Sequence, residues 1–515
     1  MKLFLDDSLD AANQKILWLY KHQNYFYYLL HPDYDNVSDE PTSKKHRIDE
    51  NGEVDRNDDI EMNADEPTIL ECLNSDVLRI IFGELSTADI LGSVAVSRKW
   101  RNAILEYLKG SHYCFEHYYL HRLHFVPRLL GLININDGRG SRSTPFDMSH
   151  GDLSNLKTKI TELGPGIVKI ILDCLNENIL KTIVQNCPNL RELMVVGMTR
   201  EHPAHDAIGQ NGTQQCELLS FNEEVRQCLK ELQLKRVMFI ECKAVTDDYI
   251  REFLKGDSIE ELILARCSSV EGDCLSCLSQ NKENKLKSLR IVACGLEFLE
   301  PEVIDNLTEL TTLDLSNHSL DLLGYVPRLL NKTSNLECLV LNCYPYSDVA
   351  DEIVECFERL PRLRHLSLCW NDNVDDEWLE AVAEGCPGLQ TLDIETKTSG
   401  FRADRRTVTA AGVLALCRAA PQLEHLGVAG NADVSDATVA AVARACPKLE
   451  SMDLRGCARI AQNLDVLRAL AAPARAAGPL RLRLARTAAD RSQFQTPPQG
   501  VIFDFVDAPR LFKLV

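Results

Sequence analysis

The sequence predicts an α/β protein: a curved solenoid with parallel strands on its concave side and helices on its convex side, preceded by a small all-helical unit. Three observations predict it. A strand-sized pattern, L-x-x-L-x-L-x-x-N/C, recurs from residue 167 onward. Amphipathic helical stretches separate its copies. Ahead of the array, residues 68–110 hold helical apolar spacing that falls outside the repeat period.

Residues 1–30, with "QKILWLYKHQNYFYYLLH", read as a short aromatic helix. Residues 31–67 carry many acids and few large apolar side chains. Such a segment buries too little surface to offset its ordering entropy, so a disordered acidic linker is expected. "KKHR" at Lys44–Arg47 reads as a solvated basic spot within it.

Order resumes at Thr68. "TILECLNSDVLRIIFGEL" sets Leu73, Val77, Leu78, Ile81, Phe82 and Leu85 at helical spacing. "STAD" supplies turn and N-cap chemistry. A second helix follows, with Ile90, Leu91, Val94, Val96 and Trp100 as apolar positions. The unit is near the size below which a domain rarely stabilises itself, so it needs the rest of the chain or a partner. Residues 111–165 form a connector; His117, His121 and His124 within it share one helical face and are expected to pack rather than hold metal.

The array spans residues 166–490 in about 12 units. Its central anchors are Ile170, Leu193, Leu232, Leu262, Leu289, Leu313, Leu339, Leu366, Leu392, Leu426, Met452 and Leu482. One strand–helix unit cannot bury its own apolar face, so units stack. "DDYIREFLKG", "DEIVECFERL", "DDEWLEAVAEGC" and "SDATVAAVARAC" read as the convex helices. Two longer gaps mark inserts near 198–228 and 396–410. Cys267, Cys294 and Cys457 take the N/C position, beside Asn371 and Asn431. Cys187, Cys386 and Cys446 each precede proline at a helix end. Cys274 and Cys277 have metal-ligand spacing but lack a second pair, so a packed helix face is the expectation. Residues 491–515 form a tail.

Concave positions flank each anchor. They place Asp314, His365, Asp393, Glu395, His425, Asp453, Arg455, Arg481 and Arg483 where a bound protein would lie. The Asp393, Glu395 and Asp453 region is expected to meet a basic feature, and Arg481 with Arg483 an acidic one.

Composition narrows the function. A net charge of −20 over 515 residues argues against general nucleic-acid binding, which needs a basic face. No stretch approaches the roughly 18 apolar residues of a membrane span, and no secretory leader is evident. The 19 scattered cysteines suit reduced thiols in the cytoplasm or nucleus. No phosphate-binding loop, nucleophile elbow or metalloprotease motif appears, and no cofactor is called for.

The helical unit resembles an F-box. "LNSDVLRIIFGELSTADILGSVAVSRKW" follows L-P-x-E-[IV]-L-x-x-I-F-x-x-L, then D-[LI], then V-[CS]-[RK]-x-W. Asn74 stands where that family usually has proline. The array resembles the cysteine-containing leucine-rich repeats that commonly follow an F-box. Together they imply a non-catalytic substrate receptor of SCF-type cullin–RING ubiquitin ligases. Its F-box would bind a Skp-type adaptor and, through it, the cullin and RING subunits; its repeats would bind a protein substrate. The resemblance makes Leu73, Val77, Leu78, Ile81, Phe82, Leu85, Ile90, Val96 and Trp100 the adaptor-interface or F-box-core candidates. A non-proteolytic interaction scaffold is the alternative.

Overall fold

The structure is a computed structural model. It describes Leu78, Ile81, Phe82, Arg98–Lys109, Tyr113–His117 and residues 153–505, apart from 174, 198–218, 257, 281–284, 298, 345–348, 397–406, 461–477 and 490–500. The expected aromatic helix (1–30), acidic linker (31–67) and both insert tips lie outside the described residues.

Fourteen strands form one parallel sheet in strict chain order. They are β1 (Tyr113–His117), β2 (Ile167–Leu172), β3 (Glu192–Val196), β4 (Arg236–Ile240), β5 (Glu261–Ala265), β6 (Ser288–Val292) and β7 (Thr312–Asp314). Then come β8 (Cys338–Val340), β9 (His365–Ser367), β10 (Thr391–Asp393), β11 (His425–Gly427), β12 (Ser451–Asp453), β13 (Leu480–Arg483) and β14 (Val501–Asp504). Ladder register joins the anchors: Ile170 pairs with Leu193, Leu262 with Leu289, Leu392 with Leu426 and Met452 with Leu482. The ladder runs past the expected array at both ends, since β1 lies in the connector and β14 in the tail.

One anchor is corrected. Leu232, read as the centre of "LKELQLKRV", caps the C-terminus of a helix at Glu223–Glu231. The strand starts at Arg236, and Val237 occupies the anchor position beside Leu193 and Leu262. Leucines at a helix end imitated the strand pattern there.

Four helices matter below: α1 (Arg98–Lys109), α2 (Leu153–Leu163), α3 (Glu177–Asn186) and α4 (Glu223–Glu231). Local chemistry starts α3 and α4. The Asn176 side chain accepts from the Ile179 amide at 3.0 Å, and Asn222 from the Val225 amide at 2.8 Å. The four convex helices read from sequence all form, at Asp247–Leu254, Ala350–Cys356, Asp376–Gly385 and Asp436–Ala445. Cys187, Cys386 and Cys446 are C-cap residues, as their place before proline suggested.

Two periodic devices hold neighbouring repeats in register. Five residues after most anchors a side chain donates to a carbonyl of the preceding repeat. Cys242 reaches Val195 O at 3.3 Å, Cys267 reaches Phe239 O at 3.4 Å, and Asn371 Nδ2 reaches Leu341 O at 2.5 Å. His318 Nε2 meets Ile291 O at 2.7 Å, Tyr344 Oη meets Leu315 O, and Cys457 reaches Val428 O at 3.2 Å. This position must therefore supply a donor, which is why Cys, His, Tyr and Asn alternate there. One residue earlier the chain turns through the left-handed region, at Gly197, Glu241, Arg266, Ala293, Asn317, Cys343, Trp370, Gly430, Gly456 and Arg486. That turn aims an N–H at the following repeat: Glu241 donates to Ala265 O at 2.8 Å, Ala293 to Ser316 O at 3.0 Å and Gly430 to Arg455 O at 2.7 Å. A non-glycine residue costs about 1 kcal/mol in this conformation, and the inter-repeat bond offsets it.

Candidate functional site

In a strand successive side chains point to opposite faces. The anchors and the residues two beyond them face the helices and form the main core, as with Leu262 and Leu264. The alternate residues line the helix-free, concave face. Its first half is apolar: Ile171, Met194, Val196, Met238, Ile240, Ile263 and Ala265 form a separate buried cluster with Val292 packed against it. A row of paired charges edges this cluster. Lys169 meets Glu192 at 3.7 Å, Arg236 bridges Glu192 (3.3 Å) and Glu261, and Ser288 Oγ donates to Glu261 at 3.1 Å.

The second half is polar, and here the structure revises the sequence reading. Arg455 is buried, with its side chain only 3% exposed. Its Nε donates to both Asp453 oxygens, at 2.9 and 3.0 Å, and its Nη2 reaches across β11 to Glu395 at 3.0 Å. Arg483 Nη1 donates to Asp453 at 2.8 Å, and Arg481 lies 3.9 Å from Asp504. The charges expected to await a partner's opposite charges thus pair largely with one another. Sequence spacing placed them on one face but could not show that arginine side chains bridge two repeats.

Asp393 is buried beside this network, and Asp453 and Glu395 take its cations. Burial, with the neighbouring Glu395 and Asp453 carboxylates, pushes the Asp393 carboxyl up to about 7. It accepts from the Glu395 amide at 3.2 Å. Gly427 makes room for it, because a Cβ there would lie 2.4 Å from Asp393 Oδ1. Asp314 is buried too; burial raises its pKa, opposed by the Ser316 hydroxyl that donates to it at 2.6 Å. His365 is half-buried, and burial followed by the nearby Arg364 lowers its pKa. His425 Nδ1 lies 3.0 Å from Ser451 Oγ. Of the nine concave candidates, Arg481 keeps an exposed side chain, while His365, Glu395 and His425 are half-buried.

Ahead of the array, Phe82 is 1% exposed. Trp100 packs edge-on against it at 5.2 Å and Tyr107 tilts onto it at 5.2 Å. Phe82 is therefore a core residue of the helical unit, a distinction that spacing alone left open. Leu78, Ile81 and Trp100 are half-buried. Leu73, Val77, Leu85, Ile90 and Val96 lie outside the described residues. Tyr107, Ile104 and Leu108 complete this core and went unread; their spacing with Trp100 on one helix was the available signal.

Cys274 is buried in a turn and Cys277 is half-buried in the following short helix. Burial, the largest cause, raises the pKa of both thiols, so they behave as packing groups. His117 lies in β1. His121 and His124 are outside the described residues.

Comparison with known proteins bears on the helical unit most directly. Residues 70–109 match the F-box domain family. The chain is 32% identical over 118 residues to the F-box protein SKIP19 of Arabidopsis thaliana, across 22% of this chain and 37% of that protein. It is 42% identical over 87 residues to the antagonist of mitotic exit network protein 1 of Eremothecium gossypii, across 17% of this chain and 20% of that protein. The matches span about a third and a fifth of these relatives. Among solved structures, Rad7 in its yeast complex with Elc1 aligns with TM-score 0.44 and 19% identity, over 76% of this chain and 90% of that one. An internalin from Listeria monocytogenes aligns with TM-score 0.40 and 15% identity, over 68% of this chain and 93% of that one.

Proposed function

From the premise of an F-box at residues 70–109 joined to a parallel repeat array, we propose that this chain is the substrate-recognition subunit of an SCF-type ubiquitin ligase. The F-box match carries the reading, since an F-box is the part that engages a Skp-type adaptor and, through it, the cullin and RING subunits. The chain acts by proximity: it raises the local concentration of a bound protein beside a charged conjugating enzyme and needs no catalytic residue of its own. Leu78, Ile81 and Trp100 keep surface outside the F-box core and are the described residues assigned to the adaptor. His365, Glu395, His425 and Arg481 keep surface on the concave face and are assigned to the substrate. The buried, free cysteines among the described residues suit a reducing compartment, cytoplasm or nucleus.

Affinity capture of the full chain tests this reading. The wild type should retain the Skp-type adaptor. Ile81→Lys should lose at least about tenfold in retention, the cost of burying an unpaired charge at an interface, with the thermal midpoint unchanged. Loss of a captured protein's turnover on depletion of the chain separates a ligase receptor from a scaffold. A wild-type chain that retains no adaptor defeats the proposal, and unchanged turnover leaves only the scaffold.

A further inference from the structure

Lysine and arginine are divided unevenly along the chain. Residues 1–332 hold 19 lysines and 17 arginines; residues 333–515 hold 3 lysines and 17 arginines. The surface shows the same division. Among described residues 153–332 the exposed cations are seven lysines and two arginines, Arg266 and Arg328; among described residues 333–505 they are eight arginines and one lysine, Lys448. The early helices all carry lysine: Lys99 and Lys109 in α1, Lys157 and Lys159 in α2, Lys181 in α3 and Lys230 in α4. The late helices Ala410–Ala419 and Asp436–Ala445 have arginine as their cation, Arg418 and Arg444. The repeat does not require this choice. Four residues before an anchor, Arg362 Nη1 donates to Asn335 at 3.0 Å and Lys448 Nζ donates to Gln422 at 2.5 Å, one repeat back in each case. In the last turn of a helix, Lys230, Arg251 and Lys332 take the place that Arg418 and Arg444 hold later. Either cation suits the carbonyls there. What separates the two side chains is reactivity: a lysine amine can shed its proton and be acylated, while a guanidinium stays protonated.

Resting on the receptor reading above, we infer that the distal array, residues 333–505, is the surface exposed to the charged conjugating enzyme, and that arginine there spares the receptor from ubiquitin transfer to itself. In that transfer a neutral lysine Nζ attacks the thioester carbonyl that joins ubiquitin to the conjugating enzyme's cysteine. The amide C–N bond forms, the C–S bond breaks, and the cysteine leaves as thiolate and takes up the proton that the amine releases. A lysine tethered beside the thioester competes with the substrate at high effective concentration. A guanidinium at the same place keeps the charge and its hydrogen bonds but offers no acceptor. The substrate's own lysines are then the acceptors favoured at the distal surface, and the proximal lysines lie out of reach.

Reconstituted transfer tests this, with the full chain, the adaptor, the cullin and RING subunits and a ubiquitin-charged conjugating enzyme. A distal variant carries Arg364→Lys, Arg418→Lys and Arg444→Lys; a proximal control carries Arg266→Lys and Arg328→Lys; all five residues are exposed. Each substitution keeps the charge, and an unchanged thermal midpoint shows that the fold is kept; if the triple variant loses it, Arg444→Lys alone takes its place. The distal variant should gain at least about tenfold in ubiquitin conjugated to the chain, with peptide mapping placing it on the new lysines. The proximal control should match the wild type. No gain in the distal variant, or an equal gain in both, overturns the inference. Adaptor capture, and discharge of the conjugating enzyme onto free lysine, keep the two proposals apart. An assembly that retains the chain and discharges ubiquitin but leaves the distal lysines bare sinks the surface assignment alone. A chain that retains no adaptor sinks the receptor reading, and the surface assignment with it.

Discussion

In β2–β5 the position after each anchor holds Ile171, Met194, Met238 and Ile263; in β9–β13 the same position holds Ser367, Asp393, Gly427, Asp453 and Arg483. The backbone under these two rows is the same. Both carry parallel ladders and, after most anchors, a left-handed residue four beyond and a donor five beyond. The repeat needs particular residues only at its anchors, its turn and its donor. It leaves the concave row free, and the two halves use that freedom in opposite ways. One half buries apolar side chains that no pH change affects. The other buries Asp453, which Arg455 of the same repeat and Arg483 of the next hold, while Arg455 also reaches Glu395 two repeats back.

The strongest test of that contrast removes the held charge. Arg455→Met should destabilise the chain by about 3 kcal/mol, because buried Asp453 and half-buried Glu395 lose their shared cation and Asp453 keeps Arg483 alone of its two arginines. Chemical denaturation followed by circular dichroism measures it. A cost under about 1 kcal/mol would mean that water already reaches these groups. The matching change in the apolar half is Met238→Ala, at about 2–4 kcal/mol, from lost burial and the cavity left behind. Its cost should be the same at every pH at which the wild type folds. A pH-dependent cost would mean that charged groups reach the apolar half.

Asp393 supplies a pH-dependent effect. Its folded pKa of about 7 lies above the ordinary carboxylate value near 4 in the unfolded chain. Between those values the folded state holds a proton that the unfolded state has released. Stability is therefore fullest below about pH 4 and falls as pH rises toward 7, by at most about 1.4 kcal/mol per pH unit. Asp393→Asn should flatten the midpoint-versus-pH curve over that window. A curve of unchanged slope would assign the effect to another group, with Asp314 next in line because burial raises it as well.

How much of this was legible follows the same division. Anchors, convex helices, cysteines before proline and the F-box register all depend on short-range pattern, and they could be read directly. Val237 was missed because a helix-end leucine run imitates the strand motif. The core role of Phe82 was open because core and interface use the same apolar spacing on so small a unit. The pairing of Arg455 with Glu395 lay beyond reach, since it depends on side chains sixty positions apart meeting across an intervening strand that carries only Gly427 and Ala429. The left-handed turn was hidden for a different reason. Glycine marks it at Gly197, Gly430 and Gly456, while Glu241, Ala293, Trp370 and others adopt the same conformation without that mark.

That turn gives the smallest prediction, and it tests whether the halves share a backbone in energy as well as in shape. Ala293 has φ 53° and follows Val292, which packs on the apolar cluster; Arg486 has φ 57° and follows the charged rows. Ala293→Gly and Arg486→Gly each relieve a left-handed strain of about 1 kcal/mol, partly offset by the greater freedom of glycine in the unfolded chain. A net gain of about 0.5 kcal/mol is expected at both sites, visible as a small equal rise in denaturation midpoint. Equal gains mean that the turn is one energetic unit copied along the array, indifferent to whether its concave row is apolar or charged. A gain at Ala293 with a loss at Arg486 would instead show that the arginine side chain contributes to the charged half, and the two halves would then differ beneath their side chains too.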